Sequence, residues 1–211
     1  MSGPAFDLVE EVVALRDGEL AILRPRDTEA LLDGEAFAQD EFMPYWAELW
    51  PSGIALARRL AGRALHGARV VELGCGLGLP SLAAARAGAR VLATDWAAPA
   101  HELLERNAAA NDVHVETALV DWARPDELVA RGPFALVLAA DVLYERRNVA
   151  LMLSLLPRLG DEVWLADPGR SFTGAFLDQA PRLWTMDATG DGTVTLHRLR
   201  RPPPAATPRR P

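Results

Sequence analysis

The chain has no lysine: all 22 of its basic residues are arginine, which excludes any catalytic lysine. With so much alanine beside it, this bias fits a GC-rich coding sequence. Cysteine is almost as scarce. Cys75 stands alone, so no intramolecular disulfide can form, and a reducing, cytoplasmic setting is expected. No apolar run approaches the roughly 18–20 residues that span a bilayer, so no membrane partner is expected. Asp7, Glu10 and Glu11 stand where a secretory signal would carry a basic and then an apolar region, so none is expected. His66, His101, His114 and His197 are scattered without zinc-ligand spacing, and no metal is expected. The net charge is −7 and the body of the chain lacks a basic cluster, which argues against a nucleic-acid partner. Arg198, Arg200, Arg201, Arg209 and Arg210 gather at the C-terminal end and read as a solvated, proline-rich tail.

What remains is an ordinary globular composition, 50% hydrophobic and 24% charged, over 211 residues. That is enough for one α/β domain with a real core. Residues 8–15 and 20–23 flank an Asp17-Gly18 turn and predict a hairpin. Residues 27–37 read as a polar helix. Residues 43–50 form an aromatic loop, and Pro51 opens a helix that continues through residues 54–60. From residue 69 the pattern alternates. Apolar runs at 69–73, 90–94, 113–120, 134–140 and 162–166 alternate with helical stretches at 80–87, 97–110, 148–159 and 173–179. Residues 183–188 and 193–200 read as a closing antiparallel hairpin. Continuous apolar strands between helices predict a mostly parallel sheet with helices on both faces. The expected organisation is a hairpin-and-helix extension over 1–40, the main domain over 41–200, and a disordered Pro/Arg-rich tail over 201–211.

Acids stand at the ends of the apolar runs: Glu72, Asp95, Asp121, Asp141 and Asp167. Ligands of open α/β sheets bind at these strand ends, although helix or turn capping is an alternative for any single acid. The first such loop reads Glu72-Leu73-Gly74-Cys75-Gly76-Leu77-Gly78-Leu79-Pro80. Its glycines let the backbone turn tightly and approach a ligand closely. A dinucleotide fingerprint places its third glycine one residue later than Gly78, so NAD is the weaker reading. Cys75 has no evident histidine partner and reads as a small packing residue.

This loop resembles motif I of the class I, Rossmann-like methyltransferases. Further segments narrow the resemblance: Pro44-Tyr45-Trp46-Ala47-Glu48-Leu49-Trp50-Pro51, Asn107 with Asn111, Val120-Asp121-Trp122, and Ala140-Asp141-Val142-Leu143-Tyr144. Together, over residues 40–180, they resemble the seven-strand protein-lysine methyltransferases, a family that includes nicotinamide N-methylase-like proteins. Asp167-Pro168-Gly169-Arg170 is similar to the branch that methylates the electron-transfer flavoprotein β-subunit, though Asp-Pro-Gly is also a common turn. The resemblance implies a Rossmann-like, seven-stranded, mostly parallel sheet with a C-terminal antiparallel hairpin, and S-adenosyl-L-methionine as cofactor. It implies that Trp50 lines the cofactor site beside Glu72, and that Gly74, Cys75, Gly76 and Gly78 wrap the methionine portion. Asp95 would hold the ribose, Asp121, Trp122 and the bulky Trp96 would border the adenine, and Ala140 would lie under the sulfonium. Asp141 would face the transferring methyl and Tyr144 the substrate entrance.

The chemistry implied is in-line methyl transfer, in which the protein mainly supplies proximity and orientation. A lysine acceptor must first lose its proton, which costs about 4 kcal/mol near neutral pH. A dry site beside a positive sulfonium lowers that cost. A protein lysine is the expected acceptor. A small-molecule amine and a non-catalytic cofactor-binding module are the alternatives, the first distinguished by whether the pocket above Asp141 is an open channel or a closed box.

Overall fold

The computed structural model describes residues 7–28, 31, 44–190 and 192–202. Most of the expected helix at 27–37, Met43 and nearly all of the expected tail lie outside the described residues. The N-terminal hairpin forms as expected, β1 (Leu8–Leu15) pairing antiparallel with β2 (Gly18–Pro25). A 3-10 turn at Tyr45–Ala47 leads into α1 (Pro51–Leu60), which has its proline in the first helical turn.

The alternating region then folds as β3 (Arg69–Leu73), α2 (Leu79–Arg86), β4 (Arg90–Asp95), α3 (Ala98–Ala110), β5 (Glu116–Leu119), α4 (Asp126–Ala130), β6 (Leu136–Ala140), α5 (Arg146–Leu159), β7 (Glu162–Asp167) and α6 (Thr173–Leu177). It closes with β8 (Thr185–Gly190) and β9 (Thr195–Arg200). The sheet has seven strands in the order β5-β4-β3-β6-β7-β9-β8. β5 to β7 run parallel, and β9 lies antiparallel between β7 and β8. The strand order reverses between β3 and β4 on one side and β6 on the other, so the loops after β3 and β6 leave the sheet side by side.

The central strands are buried on both faces, and their side chains alternate between two apolar layers. Val70 and Leu138 join Leu56, Leu82 and Leu103 from α1, α2 and α3. Val71 and Val137 join Leu128, Met152, Leu156 and Phe176 from α4, α5 and α6. The hairpin belongs to the first layer: Leu20 and Ile22 are fully buried in it.

Asn107 on α3 and Asn111 at its C-cap, one helical turn apart, fasten β2. Asn111 Oδ1 accepts from Ala21 N at 2.9 Å while its Nδ2 donates to Ala21 O at 2.7 Å. Asn107 does the same with Leu23, at 2.7 and 3.2 Å, and its Nδ2 also donates to Leu77 O at 3.1 Å. The carboxamides take the place of a neighbouring strand along β2.

Three of the five C-terminal arginines are folded rather than part of a tail. Arg198 pairs with Glu162 at 2.7 Å, Arg200 with Asp187 and Arg201 with Asp161. Two elements differ from the expected pattern. β5 covers only four residues of the apolar run at 113–120, and the five-residue α4 is too short to show a helical period.

Candidate active site

Five acids mark the strand ends, and the structure divides them by task. Glu72 is buried within β3, and its Oε2 accepts from Ser81 N at 2.8 Å and from Ser81 Oγ. Helix α2 has Gly78 at its N-cap and no side-chain cap of its own, so Glu72 supplies that acceptor from the adjacent strand. Burial pushes the Glu72 carboxyl up to about 8, against the lowering influence of the Ser81 donors and with a further upward push from Asp95. Asp167 is fully buried at the end of β7. Its Oδ1 accepts from Gly169 N at 2.7 Å, Arg170 N at 2.8 Å and Thr173 Oγ1 at 2.6 Å, shaping the turn before α6. Asp121 faces solvent and accepts from Ala123 N at 2.8 Å and Arg124 Nε at 3.0 Å. Capping and turn bonds therefore occupy Glu72 Oε2, Asp167 Oδ1 and Asp121, while Asp167 Oδ2 is buried without a hydrogen-bond partner and outside the cavity lining.

Asp95 and Asp141 face a cavity of about 510 Å³ over the strand ends. This is within the usual size of a small-molecule site. The glycine loop forms its floor. Gly76 has φ 49°, and a Cβ there would meet Trp46 O at 2.9 Å; Gly78 has φ 80°, and a Cβ there would lie 1.9 Å from Leu104 Cδ1. The loop thus needs glycine for conformation and for space together. Asp95, buried at the end of β4, accepts from Gly76 N at 2.9 Å and Ala97 N at 3.0 Å, and burial raises its carboxyl above the ordinary range. Cys75 is buried in the same loop. Burial, with Asp95 and Glu72 nearby, pushes its thiol well above the ordinary value, so it is no nucleophile.

Asp141 follows β6 in the left-handed region, at φ 59°, an uncommon place for a side chain other than glycine. Its backbone N donates to Ala166 O on the next strand at 3.0 Å, which fixes the turn. Its Oδ1 accepts from Arg170 Nε at 2.7 Å, while Oδ2 is buried and has no hydrogen-bond partner. The Arg170 guanidinium also lies over the Trp50 ring, 5.0 Å from its centroid. Trp50 in turn stands 6.1 Å from Tyr45, and Tyr45 stands 5.7 Å from Tyr144, centroid to centroid. Burial raises the Tyr144 phenol, with Glu145 adding to the effect, so it stays a neutral donor.

The cavity brings together Trp50, Glu72, Gly74, Cys75, Gly76, Gly78, Asp95, Trp96, Trp122, Ala140, Asp141 and Tyr144, all expected from the sequence. Asp121 lies outside this lining: its neighbour Trp122 turns in and its own carboxylate turns out. An exposed carboxylate gains more from the free N–H groups of its turn and from Arg124 than from facing an apolar wall. Arg170 is the residue whose role the sequence reading did not assign. The signal for it was the Asp167-Pro168-Gly169 turn, but its partner lies 29 residues away.

The sequence profile of a family described as lysine methyltransferase matches residues 37–163. The chain belongs to this lysine methyltransferase family. Among family relatives, it is 35% identical over 137 residues to the electron transfer flavoprotein beta subunit lysine methyltransferase of Xenopus laevis, covering 61% of this chain and 54% of that protein. It is 31% identical over 114 residues to the histone-arginine methyltransferase METTL23 of Homo sapiens, covering 51% of this chain and 60% of that one. The chain thus spans little more than half the length of these curated relatives. Among solved structures, the T. thermophilus 16S rRNA N2 G1207 methyltransferase, in complex with AdoMet and guanosine, superposes with a TM-score of 0.69. That match covers 94% of this chain and 52% of that one at 14% identity, a likeness of fold. Among the described residues, no group of His, Cys, Asp and Glu is arranged to hold a metal ion, and no helix is long and apolar enough to cross a membrane.

Proposed function

We propose that this protein transfers a methyl group from S-adenosyl-L-methionine to the side-chain nitrogen of a lysine in a protein acceptor. The observation that carries the reading is the buried, unpartnered Asp141 Oδ2, set into the wall of the cavity that the glycine loop floors. A buried acceptor without a donor is costly, and an incoming N–H satisfies it.

The residues present fit the cofactor. Asp95 offers carboxylate oxygens suited to ribose hydroxyls. The Trp122 ring lies close over Gly74, 3.2 Å from where a Cβ would stand, and gives a flat apolar wall suited to a base. The aromatic faces of Tyr45 and Tyr144 on the cavity wall suit a sulfonium cation. When bound, S-adenosyl-L-methionine supplies an activated methyl: the amine lone pair forms the N–C bond as the C–S bond breaks, leaving a thioether and a methylated ammonium. The chain's own part is orientation. Asp141 Oδ2 accepts an N–H of the amine and aims its lone pair, and the Tyr45, Trp50 and Tyr144 rings exclude water around it. The proton lost by the ammonium leaves to solvent.

A lysine acceptor is supported by the family description and by the flavoprotein named in the Xenopus relative. The same reading puts the protein in the cytoplasm, where the free thiol of Cys75 stays reduced. The test is incubation with methyl-labelled cofactor and a lysate from a strain lacking this gene, followed by hydrolysis of the labelled protein. Because this chain contains no lysine, methyl-lysine in the hydrolysate comes only from an acceptor. Methyl-lysine is expected. Label confined to the small-molecule fraction, or to methyl-arginine as the human relative's name suggests, would sink the lysine assignment.

A further inference from the structure

We infer that Arg170 is a positioning residue that cancels the charge of Asp141, so that the site takes its acceptor as a neutral amine rather than as an ammonium ion. The inference rests on the reading of the site as an amine methyltransferase. An isolated carboxylate beside an amine does two opposed things. It accepts an N–H and so orients the nitrogen, and its negative charge holds the amine in the protonated form, which has no lone pair to donate. The geometry here separates the two effects. Arg170 Nε occupies Oδ1 at 2.7 Å, leaving the carboxylate near neutral as a pair, while Oδ2 keeps its acceptor capacity. The pair is sheltered, with the Asp141 side chain 7% and the Arg170 side chain 26% exposed, so solvent screens it little.

The placement of Arg170 is built from two directions. Its backbone N is held by the buried Asp167, which fixes the turn after β7, and its guanidinium rests on the Trp50 face. Among the described residues, Arg147 is the other cation on the cavity wall. Arg147 is taken by Glu145 at 2.5 Å at the start of α5. Of the other acids lining the cavity among the described residues, Glu145 alone has a cation partner, and the rest accept hydrogen bonds from neutral donors. Glu48 accepts from Thr28, Asp95 accepts two backbone N–H groups at the ends of β3 and β4, and Glu72 is occupied by Ser81. Tyr45, Tyr144 and Cys75 complete the titratable lining.

The test uses the full chain saturated with S-adenosylhomocysteine, whose uncharged sulfur leaves Arg170 as the cation under study, and n-butylamine as probe. Its affinity is read from tryptophan fluorescence between about pH 7 and about pH 9.5, below the amine's ordinary pKa of about 10.4. In the wild type the affinity is expected to rise at least about tenfold with pH, because the neutral form binds. In Arg170→Gln it should rise less than about threefold, and at about pH 7 the variant should bind the probe about tenfold more tightly, as the ammonium. Arg170→Lys keeps the charge and should keep the wild-type slope. The double variant Asp141→Asn/Arg170→Gln removes both charges and should regain it, which also serves if the single Gln variant folds poorly. Glu72 titrates across the same range, equally in every variant. Equal slopes in wild type and Arg170→Gln, with S-adenosylhomocysteine still bound by both, overturn this inference alone. Failure of the wild type to bind S-adenosylhomocysteine overturns the underlying methyltransferase reading and this inference with it.

Discussion

Glu72 and Asp141 are both buried carboxylates, and their surroundings give them opposite tasks. Glu72 has its donors already, from Ser81, and its raised pKa of about 8 makes it a proton store in the folded state. The sign follows from linkage. Between its ordinary 4.5 and about 8, the native chain holds a proton that the unfolded chain has released. The stabilisation from this group is therefore complete below about 4.5, declines through the interval, and is gone above about 8. Glu72→Gln keeps the hydrogen bonds of the protonated acid and cannot ionise. Urea midpoints at about pH 5 and about pH 9 should show the variant gaining on the wild type as pH rises; an unchanged difference would contradict the assignment. Asp141 has a vacant acceptor oxygen instead. Asp141→Ala should lower methyl transfer by about 10²-fold, the scale of losing the group that orients a reacting atom. S-adenosylhomocysteine affinity, measured by calorimetry, should stay within about threefold; intact transfer at saturating cofactor would remove Asp141 from the chemistry.

At the scale of elements, α3 links the hairpin to the glycine loop through one side chain. Asn107 holds both polar groups of Leu23 on β2 and the carbonyl of Leu77 between Gly76 and Gly78. The carboxamide is fully buried, so truncation leaves groups of β2 and the loop unsatisfied. Asn107→Ala is expected to cost about 1–3 kcal/mol in urea unfolding, the desolvation cost of such groups. It should also weaken S-adenosylhomocysteine binding, since it frees the loop. A stability loss with cofactor affinity untouched would show that the hairpin is anchored independently of the site.

At the scale of the molecule, a single sheet separates two apolar layers, and the N-terminal hairpin completes one of them. Neither layer has another surface to bury against, so the described chain should unfold in one transition. Far-UV circular dichroism and tryptophan fluorescence should give coincident urea curves. A ligand at 100 times its Kd should then raise stability by about 2.7 kcal/mol. Non-coincident curves would mean that the hairpin or the β8–β9 edge melts on its own.

Much of this protein was legible along the chain, because it depends on neighbours in sequence. Continuous apolar runs between helical stretches specify a parallel sheet covered on both faces, and β3, β4, β6 and β7 lie where those runs lie. The glycine spacing at 74, 76 and 78 likewise marks a loop that favours glycine, since its φ values are left-handed and a Cβ at 76 or 78 would collide with Trp46 O or Leu104. The apolar pattern placed the five acids at strand ends, and only the family resemblance gave Glu72, Asp95, Asp121 and Asp141 expected tasks. Asp121 and Asp141 look alike in sequence, each just beyond a strand, yet one faces Arg124 and solvent and the other a cavity. What separates them is which way the chain turns as it leaves the sheet, and that turn is set by bonds to other strands, such as Asp141 N to Ala166 O. The pairing of Asp141 with Arg170, the cap that Glu72 gives to α2 and the grip of Asn107 on Leu77 are likewise contacts between distant segments. Local propensity carries no information about such pairs, because their partners meet only after β3, β6 and β7 lie side by side. Only the tertiary structure decided which buried carboxylate oxygens have donors, and that of the two without one, on Asp141 and Asp167, it is Asp141 that lines the cavity.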